Sequence, residues 1–404
     1  MRPSRDRGWA GVSLPVFLLA LQFGLLGVYL PLYGLELGAS ASQVGALFTV
    51  FSLAGVLARP LVGMGADRFG RRPFILAGAA FYTLSAALFA LSFNLPLLYS
   101  ARIAQGVGSA LFWVGIYALL ADIGDGGQQG EVFGRLAGAV SAAAAIGILP
   151  AFGIVMLLGV TAGWRWSFAG FALISLVALR LFFGRIPTAR LDRPTPIARP
   201  ATGRTLVFLS LIALLVSASY SMIFPILLIY LQDRFNAGVF MVGVAFAPAA
   251  VVYAAAPGRF GALGDRWNRR WIIALSLVAS GVVSLLFPLA PSLLVMTLVW
   301  VLEALLVSAA LPAQNAVVSE LIGGDVRGRA YGFYAAVAGL GAAAGPLVGG
   351  WLYDHAGRAY PFWINAAILP VAAALILWKL PEPVRSARVA LGQAVATDAE
   401  PQAV

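Results

Sequence analysis

An internal repeat of 198 residues is the feature of this chain that most restricts its fold. Residues 63–72 read GMGADRFGRR, and residues 261–270 read GALGDRWNRR. The same ungapped offset aligns Gln105 with Glu303. A period of this length is far longer than a solenoid unit, so it indicates that a whole half-protein has been duplicated.

The composition is that of a membrane protein. Hydrophobic residues make up 61% of the 404 residues and charged residues only 11%, whereas soluble domains carry about 25% charged residues. Apolar runs of roughly 20 residues, each long enough to cross a bilayer as a helix, recur along the chain. The sequence therefore predicts an all-α membrane protein with twelve transmembrane helices. These predicted spans 1 to 12 cover residues 12–34, 43–62, 73–93, 96–120, 133–160, 166–183, 205–231, 239–260, 271–290, 293–320, 329–353 and 361–380.

The basic residues predict the orientation in the membrane. With a cytoplasmic N-terminus, 23 of the 27 Lys and Arg residues fall at cytoplasmic ends, loops or tails, as the positive-inside rule requires. The net charge of +11 is thus explained by topology and lipid headgroups, and no nucleic-acid partner is expected. We expect a multi-pass protein of the cytoplasmic membrane with both termini cytoplasmic.

Six spans separate the two copies of the polar segment, so the halves have the same orientation and form parallel pseudo-symmetric six-helix bundles. The predicted domains are an N-terminal bundle, residues 1–183, and a C-terminal bundle, residues 205–383. Residues 184–204 are rich in proline and arginine and are predicted to form a cytoplasmic linker. Residues 384–404 are predicted to be a disordered cytoplasmic tail.

Three motifs resemble those of the major facilitator superfamily, and the resemblance covers the whole chain. Residues 63–72 are similar to the loop between spans 2 and 3 of that family. On span 4, Arg102-Ile-Ala-Gln105-Gly106-Val-Gly108 is similar to a motif of its proton-coupled antiporters. Residues 341–350 resemble the antiporter glycine-proline motif, but they fall on span 11, whereas drug-exporting members carry it on span 5.

The resemblance implies a cytoplasmic latch between the halves that favours an outward-open state. Asp67 is expected near the start of the third helix, where a helix N-terminus favours a carboxylate, and neighbouring arginines can bind carboxylates at helix ends. An alternative is that these arginines only anchor the topology. The predicted latch residues are Gly63, Asp67, Arg68, Gly70, Arg71, Arg72, Asp122, Gly261, Asp265, Arg266, Arg269, Arg270 and Glu320.

Two charged residues fall inside predicted spans. Glu303 lies about ten residues into span 10, roughly 15 Å along a helix, where a carboxylate is costly unless it is protonated, paired or hydrated. Arg102 lies on span 4, the repeat mate of span 10. We predict proton coupling at Glu303 and Arg102, and a static Arg102–Glu303 pair is the alternative.

A substrate cavity is predicted from polar and aromatic residues at helical spacing. Its predicted residues are Gln22, Tyr29, Gln105, Trp113, Tyr117, Tyr220, Trp300, Gln314 and Tyr334. Four aromatic residues close to predicted span ends are expected in the interfacial aromatic belt: Tyr33, Trp164, Trp166 and Tyr230.

The chain has no cysteine and one histidine, so thiol chemistry and a histidine metal cluster are excluded. No nucleophile–base pair and no phosphate-binding glycine loop is visible, so neither an enzyme nor an ATP-driven pump is expected. The predicted function is proton-coupled efflux of small organic molecules by a monomer, with the proton gradient as energy source and no cofactor. A proton symporter or facilitator for uptake of a sugar or organic acid remains the alternative.

Overall fold

The computed structural model describes residues 3–123, 129–186, 203–266, 268–321 and 327–379, and these ranges are helical almost throughout. The predicted tail and most of the predicted linker lie outside the described residues. The helices are α1 (Pro3–Glu36), α2 (Ala41–Phe69), α3 (Arg71–Leu91), α4 (Leu95–Ile123), α5 (Gln129–Arg185), α6 (Arg204–Phe235), α7 (Val239–Arg266), α8 (Arg269–Leu286), α9 (Leu293–Leu321), α10 (Arg327–His355) and α11 (Tyr360–Lys379).

Helix α5 contains two predicted spans. Its path is broken at Gly159, whose φ of 78° and ψ of 173° are not helical. Only glycine adopts this backbone conformation readily, so the chain can turn there without a long loop. Span 6 was predicted to begin at residue 166, but the second part of α5 begins directly after this glycine.

The internal repeat recurs in the helix boundaries. Helices α2, α3 and α4 begin at Ala41, Arg71 and Leu95, and α7, α8 and α9 begin 198 residues later in each case. Helices α5 and α10 begin with the same separation. The offset read from the sequence therefore relates whole helices.

Length and apolar composition show which described helices can cross a membrane. Eight qualify, and nine do so if α1 is included, whose two parts, Val12–Gly27 and Tyr29–Glu36, meet at 54°. Pro31 accounts for this bend, because a proline removes the hydrogen bond to the residue four positions earlier. Predicted spans 4, 5 and 8 are also helical, within α4, α5 and α7, and the total of twelve stays a prediction.

Small residues allow close packing within each half. A Cβ atom placed on Gly147 of α5 would lie 2.0 Å from the Leu21 carbonyl oxygen of α1. At the equivalent position in the second half, a Cβ on Gly345 of α10 would lie 2.2 Å from the Ala218 oxygen of α6. Membrane helices that pack backbone to backbone need such residues.

Helices α2 and α10 bring the two halves together. A Cβ on Gly45 would lie 2.0 Å from the Pro346 carbonyl oxygen, and a Cβ on Gly350 would lie 2.2 Å from that of Ala41. Thr49 Oγ1 donates a hydrogen bond of 2.5 Å to the Ala343 oxygen. The glycine-proline segment 341–350 thus packs α10 against α6 in its own half and against α2 in the other half.

Asp354, at the end of α10, caps the start of α2. Its carboxylate accepts hydrogen bonds from the Ala41 amide at 3.1 Å and from the Ser42 amide at 2.7 Å. It also accepts one from Ser42 Oγ at 2.6 Å. A helix N-terminus leaves its first amides unpaired and favours a negative charge. Asp354 therefore stabilises the joined halves at this end, which we call the Asp354 end.

The opposite end contains the turn between α2 and α3, and we call it the Gly70 end. Gly70 has φ 86° and ψ 168°, a backbone conformation that is available almost only to glycine. The second copy of the segment has Asn268 here, with φ −69°. The Asn268 side chain accepts a hydrogen bond from the Arg270 amide at 3.0 Å. A side-chain cap of α8 therefore stabilises this turn, in place of the glycine conformation found at Gly70.

Removing the carboxylate with Asp354→Ala should let α2 and α10 separate more often. A capping interaction contributes about 0.5–2 kcal/mol, so we expect the state in which α2 and α10 are separated to become several-fold more populated. The readout is the rate at which a maleimide labels Thr49→Cys, a half-buried position between these helices, in the purified protein. Glu36→Ala, which removes an exposed carboxylate of α1, is the control and should leave the rate unchanged. Equal rates in both variants would contradict the capping role.

Substitution Gly70→Ala should strain the α2–α3 turn and lower the free energy of unfolding by about 1–3 kcal/mol. Gly63→Ala is the matched control, because Gly63 is helical and a Cβ there meets no atom within 4 Å. Thermal unfolding in detergent compares the two variants. Equal melting temperatures would contradict the role assigned to the Gly70 backbone.

Candidate substrate cavity

A cavity of about 430 Å³ lies between the two halves. This volume falls within the usual range for small-molecule sites. Helices α1 to α4 of the first half and α6 and α10 of the second contribute to it. Its lining residues are Phe23, Leu26, Phe48, Phe51, Ser52, Tyr82, Arg102, Gln105, Ser109, Trp113, Ser221, Phe224, Pro225, Ala342 and Pro346.

Arg102 of α4 is held at the edge of this cavity. Its Nε donates a hydrogen bond of 2.9 Å to the Leu47 carbonyl oxygen, and its Nη1 donates one of 2.6 Å to Gln105 Oε1. The guanidinium carbon lies 4.4 Å from the ring centre of Phe51 and 5.2 Å from that of Phe48. These contacts fix the plane of a cation that is only 4% exposed.

An aromatic cluster forms another side of the cavity. Trp113 Nε1 donates a hydrogen bond of 3.1 Å to the Tyr82 hydroxyl. The Phe23 ring centre lies 5.7 Å from that of Tyr82 and 6.2 Å from that of Trp113. Tyr117 was predicted in the cavity, but it is not among the lining residues: its ring lies tilted beside Trp113, with 5.6 Å between ring centres, and it is 48% exposed. The cluster gives an apolar surface with few polar atoms, which suits an amphipathic ligand.

Glu303 lies inside the second half and outside the cavity lining. It is 4% exposed, and its Oε1 accepts a hydrogen bond from Ser280 Oγ. Among the described residues, its Oε2 has no hydrogen-bond partner. Arg102 and Glu303 thus bind different groups in different halves, and the static pair is not formed in this structure.

A second cluster of buried polar side chains lies in the same half. Asn365 of α11 donates a hydrogen bond to Ser284 of α8 and accepts one from Ser219 of α6. Burial of these polar groups is tolerated because they satisfy one another. The group ties three helices of the second half together, and the sequence pattern did not single it out.

Trp300 occupies the position equivalent to Arg102 but makes apolar contacts. Its ring centre lies 5.5 Å from that of Phe246 and 6.1 Å from that of Phe287. Phe246 is the repeat mate of Phe48. The first half therefore packs the Arg102 guanidinium against the phenylalanine at this position, and the second half packs the Trp300 indole against the equivalent one. Trp300 was predicted to line the cavity, but it lies behind the lining residue Phe224, with 6.3 Å between the ring centres.

Two further predicted cavity residues lie on α1 beside the cavity but outside its lining. Gln22 is 1% exposed, and its Nε2 donates a hydrogen bond of 3.2 Å to the Leu19 oxygen. Tyr29 is fully buried. The lining residues of α1 are instead Phe23 and Leu26, which lie on the adjacent part of the helix surface.

Three predicted residues belong to the interior of the second half. Gln314 and Tyr334 line a separate cavity of about 50 Å³. Gln314 lies eleven residues beyond Glu303 on α9, roughly 16 Å along the helix axis at 1.5 Å per residue, which places it at another level. Tyr220 packs against the apolar cluster of α6, α8, α9 and α11.

Sequence reasoning missed the contribution of α2 and α3. Phe48, Phe51 and Ser52 recur at the three- and four-residue spacing of one helix face, which was the available signal. Tyr82 is the one tyrosine of a largely apolar span. Phenylalanines in a membrane helix are equally compatible with a lipid-facing surface, so the pattern alone did not identify a cavity.

The predicted latch is only partly covered by the structure. Arg72 Nη2 donates a hydrogen bond of 2.8 Å to the Phe183 oxygen at the end of α5. The Arg68 guanidinium carbon lies 5.4 Å from the Phe69 ring centre. Asp67 was expected near the start of the third helix, but it lies in the last turn of α2, which ends at Phe69. The side chains of five predicted latch residues lie outside the described residues: Asp67, Asp122, Asp265, Arg266 and Glu320. The latch therefore stays a prediction.

Three residues expected in the aromatic belt are buried instead: Tyr33, Trp164 and Tyr230. The Tyr230 hydroxyl donates a hydrogen bond of 3.4 Å to the Pro288 oxygen. Trp164 stacks on Tyr33 with 4.6 Å between ring centres. Its Nε1 donates a hydrogen bond of 2.8 Å to the Phe89 oxygen, and the Tyr33 hydroxyl donates one to the Ser92 oxygen. The prediction was wrong for all three, because their polar atoms find protein partners. Trp166 is 66% exposed.

Comparison with known proteins identifies the family. The model of the Major Facilitator Superfamily matches residues 12–208 and 209–398. Multidrug resistance protein 1 of Bacillus subtilis is 26% identical over 390 residues, which cover 92% of this chain and 97% of that protein. Quinolone resistance protein NorA of Staphylococcus aureus is 29% identical over 132 residues, 33% of this chain and 34% of that protein.

A solved structure shares the fold. A bacterial homologue of the human lysosomal transporter Spinster, in an inward-facing and occupied conformation, superposes with a TM-score of 0.78 at 17% identity. The superposition covers 93% of this chain and 97% of that one. The family match spans nearly the whole chain and the helices agree with it. The chain therefore belongs to the major facilitator superfamily, and it is a multi-span membrane transporter rather than an enzyme.

Proposed function

We propose that this transporter expels small amphipathic organic molecules from the cell in exchange for protons. The names of the relatives, a multidrug resistance protein and a quinolone resistance protein, support efflux over uptake. The observation that carries the proposal is the cavity of about 430 Å³, which both halves line and which α2 and α10 close at the Asp354 end. Rocking of the halves would expose such a cavity to each side in turn.

Glu303 is the proposed proton carrier. The carboxyl is buried, and its known partner is the neutral Ser280 hydroxyl. Within the described residues, no lysine or arginine lies at ion-pair distance from it. Because no cation of the described residues is paired with it, this carboxyl can bind a proton and stay neutral while the transporter changes conformation. A carboxylate paired with a cation would stay charged.

The proposal includes the orientation in the membrane. The Gly70 end would face the cytoplasm and the Asp354 end the outside, with both termini cytoplasmic and the protein working as a monomer. Arg68, Arg71 and Arg72 at the Gly70 end support this orientation through the positive-inside rule. The structure would then correspond to a state that is closed to the outside.

Substitution Glu303→Gln should abolish transport against a substrate gradient, because an amide cannot exchange a proton. Transport is measured in proteoliposomes with an imposed pH gradient, using a panel of aromatic organic substrates. Glu36→Gln, which changes an exposed carboxylate of α1, is the matched control and should transport like the parent. Size-exclusion and thermal unfolding profiles verify that both variants are folded. If Glu303→Gln still concentrates substrate as the parent does, Glu303 is not the coupling group.

The same vesicles distinguish efflux from the alternative. Antiport predicts that an inward proton gradient drives substrate out of vesicles whose protein is oriented as in the cell. Uptake symport predicts accumulation inside under that gradient. Accumulation that depends on Glu303 would therefore contradict efflux while retaining proton coupling.

A further inference from the structure

We infer that the central cavity selects amphipathic molecules with an anionic group, such as aromatic carboxylates, and that Arg102 binds that group. This inference rests on the proposed function for the identity of the cavity as the substrate site. It concerns the charge of the substrate, which neither efflux nor proton coupling determines.

The charge of the cavity is the first observation. Arg102 is the one charged residue among the fifteen residues that line it. The other polar groups of the lining, such as Gln105, Ser109 and the Tyr82 hydroxyl, are neutral. The cavity therefore has a positive charge without a counter-ion in the part of the chain that the structure describes.

The hydrogen bonding of the Arg102 guanidinium is the second observation. Its two hydrogen bonds go to neutral acceptors, the Leu47 carbonyl and the Gln105 amide oxygen. Among the described residues, Nη2 has no protein acceptor. A cation buried to this degree is costly unless it is paired, and a planar guanidinium binds a carboxylate through two parallel hydrogen bonds. A ligand carboxylate would supply the missing partner.

The geometry leaves the guanidinium ready for such a ligand. Phe48 and Phe51 pack against it and two hydrogen bonds hold it, so little side-chain freedom is lost on binding. The Gln105 amide can turn away and let a ligand oxygen take the place of Oε1 at Nη1. No backbone movement is needed, because both side chains already lie in the cavity lining.

The remaining surface fits an aromatic body attached to the anion. Phe23, Trp113 and Tyr82 form one side of the cavity, and Phe224 of α6 contributes from the other half. Aromatic groups pack on such side chains with ring centres about 4.5–7 Å apart. Both parts of an aromatic carboxylate therefore find partners in one cavity.

Glu303 does not compete with the ligand for this site. It is bound to Ser280 in the interior of the second half, and α9 contributes none of the described lining residues. The ligand anion and the transported proton would thus bind separate groups. This arrangement differs from direct competition of substrate and proton for one carboxylate.

The test measures equilibrium binding of three probes of nearly equal shape to the purified full-length protein, without any gradient. The probes are radiolabelled 1-naphthaleneacetic acid, 1-naphthaleneacetamide and 1-naphthylethylamine, at a pH where the acid is anionic and the amine cationic. The acid should bind about tenfold tighter than either other probe, as expected for a charge-assisted pair. Equal affinities, a preference for the amine, or no detectable binding of the acid would overturn the inference.

Variants of Arg102 locate the preference. Arg102→Gln should remove the advantage of the acid over the amide, and Arg102→Lys should retain part of it. Arg180→Gln, which neutralises an exposed arginine of α5, is the control and should bind as the parent does. Persistence of the full preference in a folded Arg102→Gln variant would overturn the role of Arg102.

The comparison of the three probes on the parent protein shows whether the cavity prefers an anion. This result does not depend on whether the Arg102 variants fold. Because the assay uses no proton gradient, it is independent of the vesicle experiment on Glu303. Failure of proton-driven transport would leave the binding result standing, and the reverse also holds.

Discussion

The contact between α2 and α10 is the one on which the described state depends. Gly45 and Gly350 bring the two backbones together, and Asp354 adds a carboxylate to unpaired amides at the start of α2. Because each helix belongs to a different half, this contact closes the cavity at the Asp354 end. The contact consists of this helix cap, side-chain hydrogen bonds from Ser42 and Thr49, and closely packed small residues.

The two halves have the same framework but different buried chemistry. Helix starts recur at a separation of 198 residues, and glycines at equivalent positions of α5 and α10 allow the same close packing. On α4 the framework holds Arg102 and Gln105 in the cavity. On α9 the equivalent positions hold Trp300, in an aromatic cluster, and Glu303, which is bound to Ser280. Duplication thus accounts for the fold, and divergence at these positions separates a candidate ligand-binding group from a candidate proton carrier.

The repeat and the apolar runs were sufficient to predict the helices and their parallel arrangement, because both depend on local pattern. The cavity was harder to predict. Arg102, Gln105 and Trp113 were identified because polar and indole groups are unusual in the middle of a span. Phe48 and Phe51 were missed, since an aromatic ring on a membrane helix can face lipid, core or cavity equally well. Trp164 was misplaced for a related reason: only the folded structure shows that Phe89 provides an acceptor for its indole nitrogen.

We propose that the halves rock around the cavity as α2 separates from α10. The chain has no cysteine, so spin labels can be placed on introduced cysteines alone. One pair, Glu36→Cys with His355→Cys, reports on the Asp354 end, and another, Met64→Cys with Phe333→Cys, reports on the Gly70 end. Double electron–electron resonance measures the distance between the labels of each pair at high and low pH, with and without substrate. We expect the distance at one end to lengthen as the distance at the other end shortens. Distances that stay constant, or that change in the same direction at both ends, would contradict the account.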